Sequence, residues 1–254
     1  MASFQVGYLD TFSFFQTEVT VGLYIRQLLA GRDYATADPF AGQMANFVYL
    51  VGDDQKRECM VVDPAWDIPG IIDVVDREGM RLTGALVTHY HPDHVGGSIF
   101  GHNIAGLAEF VSKRSVKVHV NELESDGVKL VTGLSESDLE KHRGGDEIAI
   151  GDITLSFLHT PGHTPGSQCF LAAGALVSGD TLFIGGCGRV DLPGGDPDAM
   201  YHSLTQVLAK LPTDTVLFPG HNYASKPVST IGDERRENHY LRISSLDDWR
   251  NIMG

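Results

Sequence analysis

Thr88-His89-Tyr90-His91-Pro92-Asp93-His94-Val95-Gly96-Gly97 places three imidazoles and a carboxylate within six residues, at the end of an apolar stretch read as the strand ALVTH (85–89). Each such polar group costs about 1–3 kcal/mol to bury unless it is satisfied, and a divalent cation satisfies several at once. Imidazole is the commonest zinc ligand, so the spacing HxHxDH points to a metal site. Pro92 and Asp93 suit the first turn of a helix, and Gly96-Gly97 lets other backbone approach closely.

Outward from this segment the chain divides into strands and helices. NFVYLV (46–51) and CMVVD (59–63) read as a hairpin across the polar turn GDDQKRE. Ile68, Ile71, Ile72 and Val75 recur at helical spacing before Gly79, which predicts an amphipathic helix over 67–78. The same order returns later: strands at 168–172 and 175–180, a helix with Asp196 as N-cap and Pro197 at its first position, and a strand at 215–221. Met200, Leu204, Val207, Leu208 and Leu211 share one face of that helix. Both halves thus carry an Asp at a strand end (Asp63, Asp180) and a later strand ending in His (His89, His221), which suggests two sheets packed face to face. Ile104, Leu107, Ala108 and Val111 predict a further helix, 116–120 a strand, and 135–142 a helix closed by Gly144-Gly145. Residues 1–42 carry no motif. Their aromatic cluster (Phe4, Tyr8, Phe12, Phe14, Phe15) is read as edge-strand packing, with a substrate lid or dimer arm as alternatives.

A metal pair needs more ligands, and His163, Asp180 and His221 stand at similar strand ends, each with a turn or capping role as the plain alternative. His102, His119, His142, His159, His202 and His239 are read as isolated and dispensable for metal. Cys187 in GGCGR is read as packing in a tight turn rather than as a nucleophile.

Composition narrows the partners. With 33 acidic and 19 basic residues the chain carries a formal charge of −14, which repels nucleic acid. No run approaches the roughly 18 apolar residues of a membrane span. Three unpaired cysteines and an N-terminus without a basic region argue for the cytoplasm.

THYHPDHVGG, PGHTPGS (161–167), GDTLFIGGCGR (179–189) and PGHNY (219–223) together resemble the metallo-β-lactamase superfamily, in its glyoxalase II-like branch. The resemblance covers about residues 43–240. It implies an α/β fold, an αββα sandwich of two mixed sheets with helices outside, as a single domain over 1–254, with 1–42 an N-terminal extension and 222–254 a short tail. It also implies two divalent ions, zinc or alternatively iron. His89, His91 and His163 match the first site, Asp93, His94 and His221 the second, and Asp180 the bridge. Asp93 would also orient the attacking hydroxide or take its proton, the hydroxide bridging the two ions.

Asp180 sets the chain apart from typical zinc β-lactamases, its acidity from tRNA-processing nucleases, and His91 from flavin-linked di-iron relatives, which carry Glu there. A thioester hydrolase is the favoured function, on a small-molecule or carrier-linked substrate. A mononuclear-iron persulfide dioxygenase, with His89, His163 and Asp180 as its triad, is the alternative, and a lactonase is third. GGD after the GR segment and PGHNY in place of PAHDY depart from the dioxygenase pattern. Arg189 and Tyr223 match glutathione-contacting positions of glyoxalase II, although the 33 residues after His221 are too few for that enzyme's helical C-terminal domain. A homo-oligomer is compatible with the sequence.

Overall fold

Strand pairing begins upstream of the first motif. The computed structural model describes residues 22–253. In it β1 (Leu23–Leu29) lies antiparallel to β2 (Phe47–Asp53), with α1 (Pro39–Met44) between them in sequence. β1 and most of α1 therefore fall within the segment that shows no motif, while its aromatic cluster lies outside the described residues.

All seven residues of β2 are buried. Alternation along the strand sends Val48 and Leu50 to a helical layer and Phe47, Tyr49 and Val51 to the opposite side, so a strand covered on both faces needs no polar positions. The predicted hairpin continues into β3 (Glu58–Val62), and α2 (Ile68–Arg77) follows, capped by the Asp67 side chain on the Gly70 amide. Next come β4 (Arg81–Leu86), α3 (Pro92–Val95), the small hairpin β5 (Gly97–Ile99) and β6 (His102–Ile104), and α4 (Leu107–Lys113). Ile104 thus sits in a strand just before the predicted helix. The first sheet is completed by β7 (Lys117–Asn121), α5 (Ser125–Thr132) and β8 (Leu139–His142), in the order β1-β2-β3-β4-β7-β8.

The helix predicted over 135–142 does not form. Ser135 and Asp138 close a capping box around one short turn at Glu136–Asp138, and Leu139 then pairs with Val118 in a parallel ladder. Long-range pairing overrides a weak local pattern there.

The second sheet is built from β9 (Glu147–Ile150), β10 (Ile153–His159), β11 (Gln168–Ala172) and β12 (Ala175–Gly179). The two-residue strands β13 (Leu182–Phe183) and β14 (Gly186–Cys187) make a separate hairpin. The segment capped by Asp196 begins as α6 (Pro197–His202) and runs on to Lys210 through a wider and then a tighter turn. After it come β15 (Val216–Pro219), β16 (Ser229–Thr230), α7 (Ile231–Glu237) and α8 (Leu246–Met253), and the sheet order is β16-β15-β12-β11-β10-β9. The apparent repeat is real in topology: β3 runs parallel to β4 after the β2–β3 hairpin, and β12 runs parallel to β15 after the β11–β12 hairpin.

Three apolar layers make the αββα sandwich. Phe47, Tyr49, Leu86, Phe157, Phe170 and Phe218 meet between the sheets. Ile71 and Phe110 seal the first sheet under α2 and α4, while Met200, Leu204 and Trp249 seal the second. Burying each such side chain contributes roughly 1.5–3 kcal/mol. At one edge the sheets are joined directly, since Phe47 N donates to Gly220 O at 2.8 Å and Asn222 N to Ala45 O at 2.9 Å. That seam fixes His221 against Asn46, in the segment just before β2.

Candidate metal centre

The loop after β4 delivers His89 and His91, and the short helix α3 delivers Asp93 and His94. Gly96, at φ +89°, ends α3, and a Cβ there would lie 2.7 Å from Gly106 Cα. His163 comes from the β10–β11 loop, Asp180 from the end of β12 and His221 from the end of β15. The fold brings all seven sequence-derived residues together. The ligand atoms of His89, His91 and His163 lie within 4.8 Å of one another, as do those of Asp93, His94 and His221, and those of His89, His94 and Asp180. Asp180 stands between the groups: Oδ1 is 3.4 Å from His94 Nε2, and Oδ2 is 3.3 Å from His221 Nε2 and 3.7 Å from His163 Nε2. Gly220 allows this, because a Cβ there would sit 2.4 Å from Asp180 Oδ1.

The outer nitrogens of four histidines are anchored. Thr88 Oγ1 donates to Asp63 at 2.6 Å and so accepts from His89 Nδ1 at 3.0 Å. His94 Nδ1 meets Asp63 Oδ2 at 2.9 Å, His163 Nδ1 donates to Arg189 O at 2.8 Å, and His221 Nδ1 to Met44 O at 2.8 Å. Anchoring one ring nitrogen turns the other inward, the arrangement that orients metal-bound imidazoles. His163 Nε2 accordingly lies 2.9 Å from His91 Nδ1, and His94 Nε2 3.2 Å from His221 Nε2. His89 Nε2 and Asp180 Oδ1 are buried without a hydrogen-bond partner among the described residues. Orphaned acceptors at the focus of five imidazoles and two carboxylates fit a cation, and the donor set of nitrogen and oxygen suits zinc or iron.

Electrostatics agree. Burial, reinforced by neighbouring imidazoles, holds His89 well below the ordinary histidine range, and burial with His163 lowers His91 to about 4, so both rings are neutral. Burial opposes charge on His94 too, but Asp93 and Asp180 overcome it and raise this histidine well above its usual range, and Asp180 raises His221 against its burial. Protons there supply the positive charge that the carboxylates demand. Because Asp93 and Asp180 favour the protonated form of His94 and a ligand nitrogen must be bare, zinc uptake is expected to release protons and to tighten as pH rises. Calorimetric titration in buffers of differing ionisation enthalpy reads this directly; a buffer-independent heat would contradict it.

Several supporting residues have no motif to reveal them. Asn46 Nδ2 donates to Asp93 Oδ2 at 3.0 Å, and Trp66 Nε1 donates to Asp93 O at 3.1 Å. Asp63, held at φ +54°, was visible only as the repeat counterpart of Asp180. Glu124, fully buried at the start of α5, accepts from Tyr90 N at 2.8 Å, Thr164 Oγ1 at 2.9 Å and Gly166 N at 2.6 Å, clamping the His91 turn to the His163 loop. By contrast Arg189 is held by Asp191 through Nε–Oδ1 at 2.7 Å and Nη2–Oδ2 at 2.6 Å, both exposed. Tyr223 stacks on His221 at 4.7 Å and remains 60% exposed. Burial pushes the Cys187 thiol up to about 12, which suits packing and not nucleophilic attack. His119 and His142 are not isolated as the sequence suggests, since they meet at 2.9 Å across β7 and β8.

The metallo-beta-lactamase superfamily model matches residues 41–221, from α1 to the last of the clustered histidines. The chain belongs to this superfamily. Within it, the chain is 37% identical over 186 residues to hydroxyacylglutathione hydrolase of Tolumonas auensis, spanning 72% of this chain and 64% of that one. It is 32% identical over 212 residues to the mitochondrial persulfide dioxygenase ETHE1 of Homo sapiens, spanning 82% and 76%. The crystal structure of ETHE1 from Myxococcus xanthus superposes with a TM-score of 0.72 at 28% identity, covering 91% of this chain and 89% of that one. The superfamily is one of metal-dependent hydrolases, and this member is an enzyme with its candidate metal-binding side chains at the sandwich edge. No helix among the described residues is long and apolar enough to cross a membrane.

Proposed function

We propose that the protein is a dinuclear metallohydrolase that cleaves a thioester. The observation that carries this reading is the fully furnished second group. Asp93, His94 and His221 converge, and each is oriented by a dedicated partner, Asn46, Asp63 and the Met44 carbonyl respectively. A single ion on His89, His163 and Asp180 would leave that construction without a task. Two bound divalent ions would supply an acidified water and polarise the scissile carbonyl. His89, His91 and His163 would hold one, Asp93, His94 and His221 the other, with Asp180 serving both.

The chain's own groups do the rest. Asp93, fixed by the Asn46 amide, orients the water and accepts its proton. The water oxygen bonds to the thioester carbonyl carbon, the carbon–sulfur bond breaks, and the thiolate leaves to be protonated. Tyr223, stacked on His221, forms an aromatic wall beside the thiol carrier.

Arg189 is the proposed anchor for an anionic carrier, because an exposed ion pair such as Arg189–Asp191 is weak and exchanges readily for a substrate carboxylate. Arg189→Ala is expected to raise KM about tenfold for an anionic thioester, with kcat little changed and a neutral analogue unaffected. Equal losses for both substrates would make the arginine a loop-fixing residue.

The ETHE1 relatives favour persulfide oxidation as a second reading. The zinc-loaded protein should release thiol from acyl-glutathione thioesters in the absence of oxygen. Oxygen uptake with glutathione persulfide by the iron form, without thioesterase activity, would establish the second reading instead. The acidic chain is proposed to act in the cytoplasm on small or carrier-linked thioesters, without nucleic-acid or membrane partners.

A further inference from the structure

We infer that His119, Glu140 and His142 form a second metal site, outside the catalytic centre, that takes a zinc-class divalent ion and pins edge strand β8 to β7. The three side chains offer ligand atoms within 4.8 Å of one another, and none of them belongs to the seven residues of the centre. Sheet register produces the cluster. His119 pairs with Glu140 across the parallel β7–β8 ladder, and Glu140 and His142, two apart, share one face of β8.

His119 Nδ1 and His142 Nε2 face each other at 2.9 Å, the same separation as His91 and His163 in the centre. Tetrahedral zinc at about 2.0–2.1 Å from each nitrogen needs roughly 3.3 Å between them, an opening of a few tenths of an ångström. The His142 ring is held for the purpose. It stacks on Phe157 of the facing sheet at 4.2 Å and 15°, and its other nitrogen faces the Asp146 carboxylate at 3.7 Å. Both histidines are buried, which lowers their proton affinity and leaves bare nitrogens. The Glu140 side chain is exposed and makes no hydrogen bond or ion pair among the described residues, so its carboxylate is available to close the site from the solvent side.

The test is equilibrium dialysis against zinc of the full chain and four variants. The wild type is expected to hold one more zinc than His142→Ala, and His163→Ala, altered only in the centre, should retain this extra ion. Glu140→Gln, on the exposed side, should weaken it about tenfold or more without disturbing the fold. Equal zinc content in wild type and folded His142→Ala would overturn the inference. Should His142→Ala fail to fold, His119→Gln and Glu140→Gln decide it: unchanged zinc affinity in both refutes the site, and weakened affinity in both supports it.

Discussion

Asn in place of Asp93 is expected to lower thioester turnover by about 10²–10⁴-fold, the usual contribution of a positioned general base. The substitution keeps the shape and an oxygen donor, so the comparison is made at equal metal loading. What it removes is the charge. The Asp93 carboxylate lies 3.4 Å from His94 Nε2 and 3.5 Å from His221 Nε2, and these two imidazoles hold it ionised despite its burial, well below the usual carboxylate range. An amide in that position neither accepts the water's proton nor directs its lone pair at the carbonyl carbon. Steady-state rates at fixed zinc loading check this, and turnover within a few-fold of wild type would remove Asp93 from the chemistry.

His163→Ala should cost the protein about one catalytic ion per chain. His89 and His91 would remain as a two-imidazole remnant, and losing a direct ligand should exceed the roughly 10–100-fold affinity loss that follows removal of an outer partner. His163 is buried and held by the Arg189 carbonyl, and the Glu124 clamp keeps its loop in place independently of the ring, so the fold should survive. Elemental analysis after dialysis against zinc gives the result. Unchanged metal content would exclude His163 as a ligand.

The centre was legible in sequence because its residues occur in short motifs at strand ends, where buried imidazoles have few alternative uses. The hairpin–helix–strand repeat likewise shows in its apolar periodicity and reappears as the two β–β–α–β units. Parts that depend on distant pairing did not show. Leu139–His142 carries no strand alternation, since its place is set by β7, and β1 gives no signal before its partner β2 is known. Glu124 and Asn46 are single polar residues whose roles exist only once two loops meet. The His119–His142 contact arises from strand register, which spacing of 23 residues cannot reveal.

The most direct test of a two-ion centre is an anomalous-scattering map at the zinc and iron edges, from crystals of protein purified without added metal. The proposed hydrolase predicts two peaks about 3.5–4 Å apart on either side of Asp180, one against His89, His91 and His163, the other against Asp93, His94 and His221. A single iron peak against His89, His163 and Asp180, with nothing beside His94 and His221, would contradict it.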